Sequence, residues 1–505
     1  MSILESMIDT EKFGEWIGLQ TNSSKEHLKK QLSEWKSDST KLVKLSKRFK
    51  RFKDAFEKDP TFFGECHVLF TEISEIEKKL NTLISSDSKL EQESYSELLF
   101  FRPIFQPLNF VPFLLTIWSF LRVYLLPGLS FLIPFFTLIA PYIVLKFAFQ
   151  VPITFQNYMT ILHSMVSGDF TRGIPNQADN SLPIQPIQLL KKFGIVLVTF
   201  VQGIIQPYWS YKHLHSIDNI IVDYGSLVIQ FRDKYIALTN LLQKHGFTFF
   251  KCPLPNIRSE RDATARAILE SSYFKMALKY IGSLEVLMSL ANKKHIYPVS
   301  WVTSEHPVFT IRNTFDFQVS EKSRKTVSAS FREKRHALLT GPNKGGKSTV
   351  LRAFTISALL AHTYGCSIGV ARMTPFYKLF VCLKPDDLPG SKSRFEREIE
   401  FTANTLHHDK PILIFIDELY HSTNPPDALR SCHIYCDQLW QKTNVVSVIS
   451  THLFELVENA NDSIQRLCCL AKLNEKGDIQ FDYKLTSGIC KVSSVDELLK
   501  RNGLL

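Results

Sequence analysis

The segment GPNKGGKST, residues 341–349, limits the fold more than any other stretch of the chain. It fits G-x-x-x-x-G-K-[ST], with Gly341, Gly346, Lys347 and Ser348 in the required places. Residues 337–340 before it form a short apolar run that reads as a strand. Residues 350–361 after it read as a helix. A glycine loop between strand and helix implies an α/β layer with a phosphate-binding turn. The loop residues Gly341, Pro342, Asn343, Lys344, Gly345 and Gly346 would curl backbone N–H groups around phosphate oxygens at a helix N-terminus. Lys347 would reach the β- and γ-phosphates, the Ser348 hydroxyl would hold Mg²⁺, and Thr349 completes the motif. ATP and Mg²⁺ are the ligands this implies.

Two later strands supply what such a loop needs. Residues 412–416 are apolar and lead into Asp417 and Glu418, about 70 residues beyond the loop. Asp417 would hold Mg²⁺, directly or through water, and Glu418 would polarise the attacking water as general base. Residues 445–450 form another strand, ending at Thr451-His452. A histidine at a strand end beside a phosphate site can sense the γ-phosphate through a hydrogen bond. From about Tyr297 the pattern is of strands, then strands alternating with helices, so residues 297–505 read as an α/β P-loop ATPase domain.

The rest of the 505 residues is of a different kind. Residues 1–102 read as a basic helical or coiled-coil arm. Leu28, Leu32, Trp35, Leu42, Leu45, Phe49, Phe52 and Phe56 recur at steps of three and four, and a second seam runs from Leu69 to Leu83 after a break at Asp59-Pro60. The opposite face carries Lys41, Lys44, Lys47, Arg48, Lys50, Arg51 and Lys53, which suits a solvated surface, anionic lipid or DNA. The formal charge of +11 does not choose among these. Residues 1–12 lack an apolar core, so no signal peptide is expected there. The nine cysteines include no C-x-x-C pair, which argues against zinc and for reduced, intracellular thiols.

Residues 103–145 hold two uncharged runs, 103–121 and 123–145, separated by Arg122. The second is about 23 residues, enough to cross a hydrocarbon core of about 30 Å. Six prolines within them would damage a soluble bundle more than membrane helices. A transmembrane hairpin is therefore expected. Residues 146–210 read as a loop plus a third apolar run, 193–209, either interfacial or spanning. The alternative topology is one span at 123–145 with a return at 193–209. Both place the basic arm and the ATPase domain on the cytoplasmic side of a membrane. Residues 211–296 return to helix, as a lever or core region.

GPNKGGKST, FIDELYHSTNPPDA and STHLFEL, in this order and spacing, resemble the MutS family of ABC-type DNA mismatch-repair ATPases. Asp386-Asp387, Ser391, residues 393–395, Glu398 and residues 402–406 look like that family's segment after the loop helix. Residues 280–291 and His306-Pro307 look like its approach to the nucleotide strand. The resemblance covers residues 265–490. It implies a homodimer in which two subunits sandwich two ATPs and each completes the other's site with a signature loop, here Ser422, Thr423 and Asn424. Phe315 would stack on adenine. The usual Gly-Thr-Ser-Thr is replaced by Ser-Thr-Asn-Pro, which leaves the hydrolysis rate open. An amide at 424 can still donate to phosphate.

The mismatch-reading Phe-x-Glu has only weak matches, at Phe13-Gly-Glu15 and Phe63-Gly-Glu65. The membrane segment occupies the place of a DNA clamp. The whole resembles a membrane-anchored MutS-like variant without the mismatch-recognition domain. A DNA-binding repair protein whose apolar segment is a buried core is the main alternative. A non-hydrolysing, ATP-gated scaffold is another. A transporter half is disfavoured, because no Leu-Ser-Gly-Gly-Gln occurs.

Overall fold

The computed structural model describes residues 8–85, 94–167, 201–248, 252–383, 393–473, 479–492 and 499. The chain divides into two compact units. One comprises Met1–Ser74, Asn240–Phe249 and Leu278–Leu505; the other comprises Glu75–Thr239 and Phe250–Ala277.

Among the described residues, twelve strands lie in the first unit, in chain order β1 (Ile296–Pro298), β2 (Ser300–Trp301), β3 (Phe309–Thr314), β4 (Val327–Phe331), β5 (His336–Thr340), β6 (Cys366–Ile368), β7 (Val370–Met373), β8 (Lys378–Cys382), β9 (Ile412–Ile416), β10 (Val445–Ser450), β11 (Ile464–Leu473) and β12 (Ile479–Ser487). The main sheet has the order β12-β11-β5-β10-β9-β8, parallel throughout except for β12. Every residue of β5, β9 and β10 is buried. Helices cover both faces of such strands, so their sequences are continuous apolar runs and do not alternate. A second sheet, β2-β7-β3-β4, packs its Phe309, Ile311 and Phe331 into the same core as Phe354 and Phe415.

The helix after the glycine loop, Lys347–Tyr364, is buried nearly all round. One side meets the sheet. The other meets the amino-terminal helices Asn22–Ser33 and Ser39–Lys58. This corrects the expectation of a separate coiled-coil arm. The seam is real, with Leu28, Leu32, Leu42, Phe49, Phe52 and Phe56 all buried. Residues 34–38 interrupt it, and its partner is the ATPase body. A heptad pattern specifies an apolar stripe and leaves the identity of the facing surface open. Trp35 stacks on His362 with ring centroids 3.8 Å apart and donates its indole N–H to the Phe376 carbonyl. The Ser46 hydroxyl donates to the Gly365 carbonyl at 2.9 Å and accepts from the Trp301 indole at 2.8 Å. Gly365 caps the loop helix at φ 73°, and a Cβ there would lie 2.4 Å from the Ser46 nitrogen. Glycine is required twice over, by backbone hand and by space.

Helix Ser271–Asn292 is held the same way. A Cβ on Gly282 would lie 2.4 Å from the Ser23 carbonyl oxygen. Buried Glu285 accepts the backbone N–H groups of Gln20 and Thr21 and the Thr21 hydroxyl, so a carboxylate closes the start of helix Asn22–Ser33. Phe13, of the first Phe-x-Glu match, is fully buried against Phe317 and Trp16.

Residues 260–292 form two helices, Glu260–Leu269 and Ser271–Asn292, meeting at Glu270. They follow helix Gln206–Lys244, whose stripe of Val228, Phe231, Tyr235 and Leu238 is buried as its spacing implies. The apolar segment is not divided where the uncharged runs imply. Arg122 does not break it. Helical turns run from Pro112 to Ser130, and the turn falls at Phe131-Leu132, before helix Ile133–Ile143. Arginine is a good helix former, so a lone charge is no terminator. Pro127 is accommodated by a wider π turn, Leu121–Leu125, and Pro207 by another, Val201–Ile205. Each π turn contains the carbonyl four residues back that the proline ring would strike. Pro112–Ser130 is the one described helix long and apolar enough, by length and composition, to cross a membrane. Residues 201–209 of the third apolar run are helical. Its start and the loop at 174–189 lie outside the described residues.

Burial pushes the imidazoles of His27 and His336 down to about 4 and that of His362 to about 3. In the unfolded chain they protonate near about 6.5. The unfolded state therefore binds more protons as pH falls through that value, and stability is lost from there downward. The apparent melting temperature of the full chain is expected to fall between about pH 7 and pH 5, before carboxylates titrate. His336→Asn should flatten that slope, and a melting temperature constant across the interval would contradict the account.

Candidate nucleotide site

Parallel strands β5, β10 and β9 lie side by side, so their C-terminal ends share one edge of the sheet, where open α/β sheets bind ligands. The Thr451 N–H donates to the Leu339 carbonyl at 3.1 Å, and the Asp417 N–H donates to the Cys382 carbonyl at 2.7 Å. At the tip of β10, the Ser450 hydroxyl donates to the Asp417 carboxylate and accepts the Glu418 N–H at 2.9 Å. Ser450 thus fastens the paired carboxylates to the neighbouring strand. The sequence offered only its place, one residue before Thr451-His452.

The glycine loop joins β5 to helix Lys347–Tyr364. Gly341 has φ 150°, and a Cβ there would lie 3.1 Å from that of Cys469. Gly346 is left-handed at φ 99°. Lys344 also has positive φ, and it and Asn343 are exposed. The Gly345 N–H closes the loop onto the Pro342 carbonyl at 3.0 Å. No side chain caps the helix that follows, and Ser348 and Thr349 sit half-buried on its first turn. An uncapped helix start beside a buried ammonium is a site built for an anion, so these residues fit a nucleotide phosphate.

The Lys347 ammonium donates to the carbonyls of Gly341 at 3.0 Å and Pro342 at 3.4 Å, and lies 3.0 Å from His452 Nε2. Burial lowers its pKa, while Glu418 and Asp417 work against that shift. The same Nε2 lies 3.2 Å from Glu418 Oε1. One ring nitrogen cannot accept from Lys347 and donate to Glu418 at once. His452 therefore chooses between the cation and the carboxylate. The His452 bond holds the Glu418 carboxyl below its usual range, and Glu418 itself sits at φ 55°.

Beside the loop is a cavity of about 290 Å³, lined by Gly345, Gly346, Thr349, Phe315, Arg324 and Tyr483 among others. Phe315 is in the lining, but its ring is only 2% exposed. The Arg324 guanidinium lies over that ring at 4.6 Å and is pinned by the carbonyls of Phe317 and Val319. Arg324 and Tyr483, which no motif announced, also line this cavity. Asp316, buried behind them, pairs with Arg352 at 2.7 Å.

Ser422, Thr423 and Asn424 stand together at the start of helix Pro425–Trp440. The Ser422 hydroxyl donates to Glu398 at 3.0 Å. The Asn424 side chain is engaged at both ends: its oxygen accepts the Asp427 N–H at 3.0 Å, and its amide donates to the Asp427 carboxylate at 2.7 Å. Among the described residues no hydrogen bond joins this loop to the glycine loop of the same chain. Ser393 caps helix Arg394–Leu406 in a reciprocal box with Glu396. Asp386, Asp387 and Ser391 lie outside the described residues.

Two substitutions test this geometry. His452→Ala removes a contact to both Lys347 and Glu418 and should lower kcat by about 10- to 100-fold with little change in KM. Ser450→Ala leaves the strand ladder intact and frees Asp417, so it should raise the Mg²⁺ concentration needed for half-maximal turnover. Wild-type steady-state kinetics for both variants would contradict the assignment.

Residues 337–497 match the family model for MutS domain V. The glycine loop, the paired carboxylates on β9, the fastening serine and the strand-end histidine all fall inside that match. Residues 337–497 are therefore a MutS-type domain V, the carboxy-terminal third of the chain.

Proposed function

We propose that the protein is an ATP-hydrolysing motor of MutS type, working as a homodimer and held at a membrane by the apolar segment within residues 103–209. The observation that carries the reading is the line of contacts from Lys347 through His452 to Glu418. An entering triphosphate offers Lys347 better acceptors than the two loop carbonyls. Its departure frees His452 Nε2 to donate toward Glu418 or the γ-phosphate. Glu418, kept ionised by that contact, takes the proton of the attacking water. Mg²⁺ would be held by Ser348 and Asp417 and would neutralise charge developing on the phosphates.

Dimerisation is supported by the loop Ser422, Thr423 and Asn424, which sits at a helix start and, among the described residues, has no hydrogen bond to its own glycine loop. Membrane attachment is supported by the exposure of Phe136, Phe147 and Phe149 at 64%, 70% and 70%, which a buried core would not show. Residues 1–74 share a compact unit with the ATPase domain, which supports placing both on the same, ATP-containing side. A repair protein that wedges Phe13 into mismatched DNA is not supported, because that ring is sealed in an aromatic cluster.

Glu418→Gln should bind ATP and lose turnover by about 100-fold or more. Unchanged turnover in the purified variant would remove Glu418 as the base. In parallel, the full chain should leave membranes only with detergent. Release by high salt alone would overturn the anchoring.

A further inference from the structure

The second unit fixes how far the apolar segment can enter a bilayer. Helix Pro112–Phe120 does not stand free along its length. Ser119, midway along the span-length helix, donates its hydroxyl to buried Asp218 at 2.7 Å. Arg261 grips the same carboxylate with two bonds, at 2.9 and 2.7 Å. Arg261 belongs to the charged helix Glu260–Leu269, whose Arg266 also lies 4.2 Å over the Phe110 ring. One turn beyond Ser119, Arg122 pairs with Glu97 and lies over Trp118 at 5.7 Å. Seating Pro112–Ser130 across a membrane would carry this cluster, and a helix bearing four charges, to the bilayer centre. Charged side chains at that depth are costly and are rarely found facing hydrocarbon.

The side chains near Arg122 have the chemistry of a membrane boundary. Lys212 lies over Trp209 at 5.4 Å, and Tyr124 reaches His215, which stacks on Tyr211. Aromatic rings with an apolar body and a polar tip, mixed with cations, collect at the level of lipid headgroups. Apolar side chains are exposed before Arg122, at Phe113, Ile117 and Phe120, but past it no described charged side chain interrupts them until Lys146. Leu126, Leu129, Ile133, Phe136 and Ile139 are all exposed. Nine residues separate Arg122 from Phe131 at the turn, about 14 Å of helix at 1.5 Å per residue. On the return, Ile133 to Lys146 is about 20 Å. Lys146 folds back over Tyr142, donating to its hydroxyl at 3.1 Å, as a cation at an interface does. Both arms are shorter than a hydrocarbon core of about 30 Å.

We propose that the apolar end of this unit, beyond the level of Arg122, is a wedge that enters one leaflet of a lipid bilayer and turns back inside it at Phe131-Leu132. The proposal rests on the membrane reading above and replaces a crossing with a one-sided anchor. The outer face of helix Pro112–Phe120, with Phe113 and Ile117 exposed, then lies among headgroups. The cationic rim of Arg122, Lys146 and Lys212 suits an anionic surface. A one-sided anchor also keeps the chain before and after residues 103–148 on the ATPase side without any count of crossings.

Spin labels give the depth directly. In the full chain with the half-buried Cys252 and Cys382 replaced by serine, a label is placed by Leu132→Cys or by Ile117→Cys. The protein is then bound to phosphatidylcholine/phosphatidylserine vesicles, and relaxation by oxygen is compared with relaxation by a water-soluble nickel chelate. A one-leaflet wedge predicts a severalfold higher oxygen-to-nickel ratio at 132 than at 117. A transmembrane helix over Pro112–Ser130 predicts the reverse order, with 117 shielded and 132 open to nickel, and would overturn the wedge while leaving the membrane reading intact. Labels unchanged by vesicles would overturn both. Melting curves of the two labelled proteins confirm that each is folded.

Discussion

A buried ammonium must have acceptors, and the site is arranged around how Lys347 finds them. In this structure its partners are two carbonyls of its own loop and one histidine nitrogen. Carbonyls can hold a cation but cannot neutralise it, and burial already lowers the lysine's pKa. A polyphosphate supplies the missing charge. The loop glycines, the parallel strand ends and the uncapped helix all bring that exchange about. Because His452 touches both Lys347 and Glu418, the proposed mechanism has phosphate at the lysine change the contacts of Glu418.

Much of this was legible because its chemistry is local. Gly341, Gly346, Lys347, Asp417, Glu418 and His452 each occupy a position that strand–loop–helix geometry dictates from a short stretch of chain. What could not be read depends on residues far apart in sequence. Ser450 matters through a neighbouring strand. Arg324 covers Phe315 only because a turn brings it back over the ring. Asn424 is committed to Asp427, so the amide expected to meet phosphate is already engaged at the start of its own helix. Such contacts follow from tertiary placement and leave no periodic trace.

The amino-terminal helices show the same limit at larger scale. Their apolar stripe was plain, and its partner was not. Ser46, a polar residue inside that stripe, proves to be the contact that seats the helix on Gly365 and Trp301. In the second unit, uncharged stretches suggested a membrane hairpin split at Arg122. The arginine instead stays in the helix, paired with Glu97, and π turns accommodate Pro127 and Pro207. Hydropathy counted the apolar residues, while the bonds made by Ser119, Asp218 and Arg261 tie part of that stretch to charged neighbours.

The central claim is that one chain holds half of a paired site, with Lys347, Glu418 and His452 on one subunit and the loop at Ser422 serving the other. Light scattering on the detergent-solubilised full chain tests it most directly, comparing its mass without nucleotide, with ADP and with ATP·Mg²⁺. The account predicts a shift to a dimer with ATP·Mg²⁺ that reverses as ATP is consumed. A particle that stays monomeric while turning over ATP would contradict it.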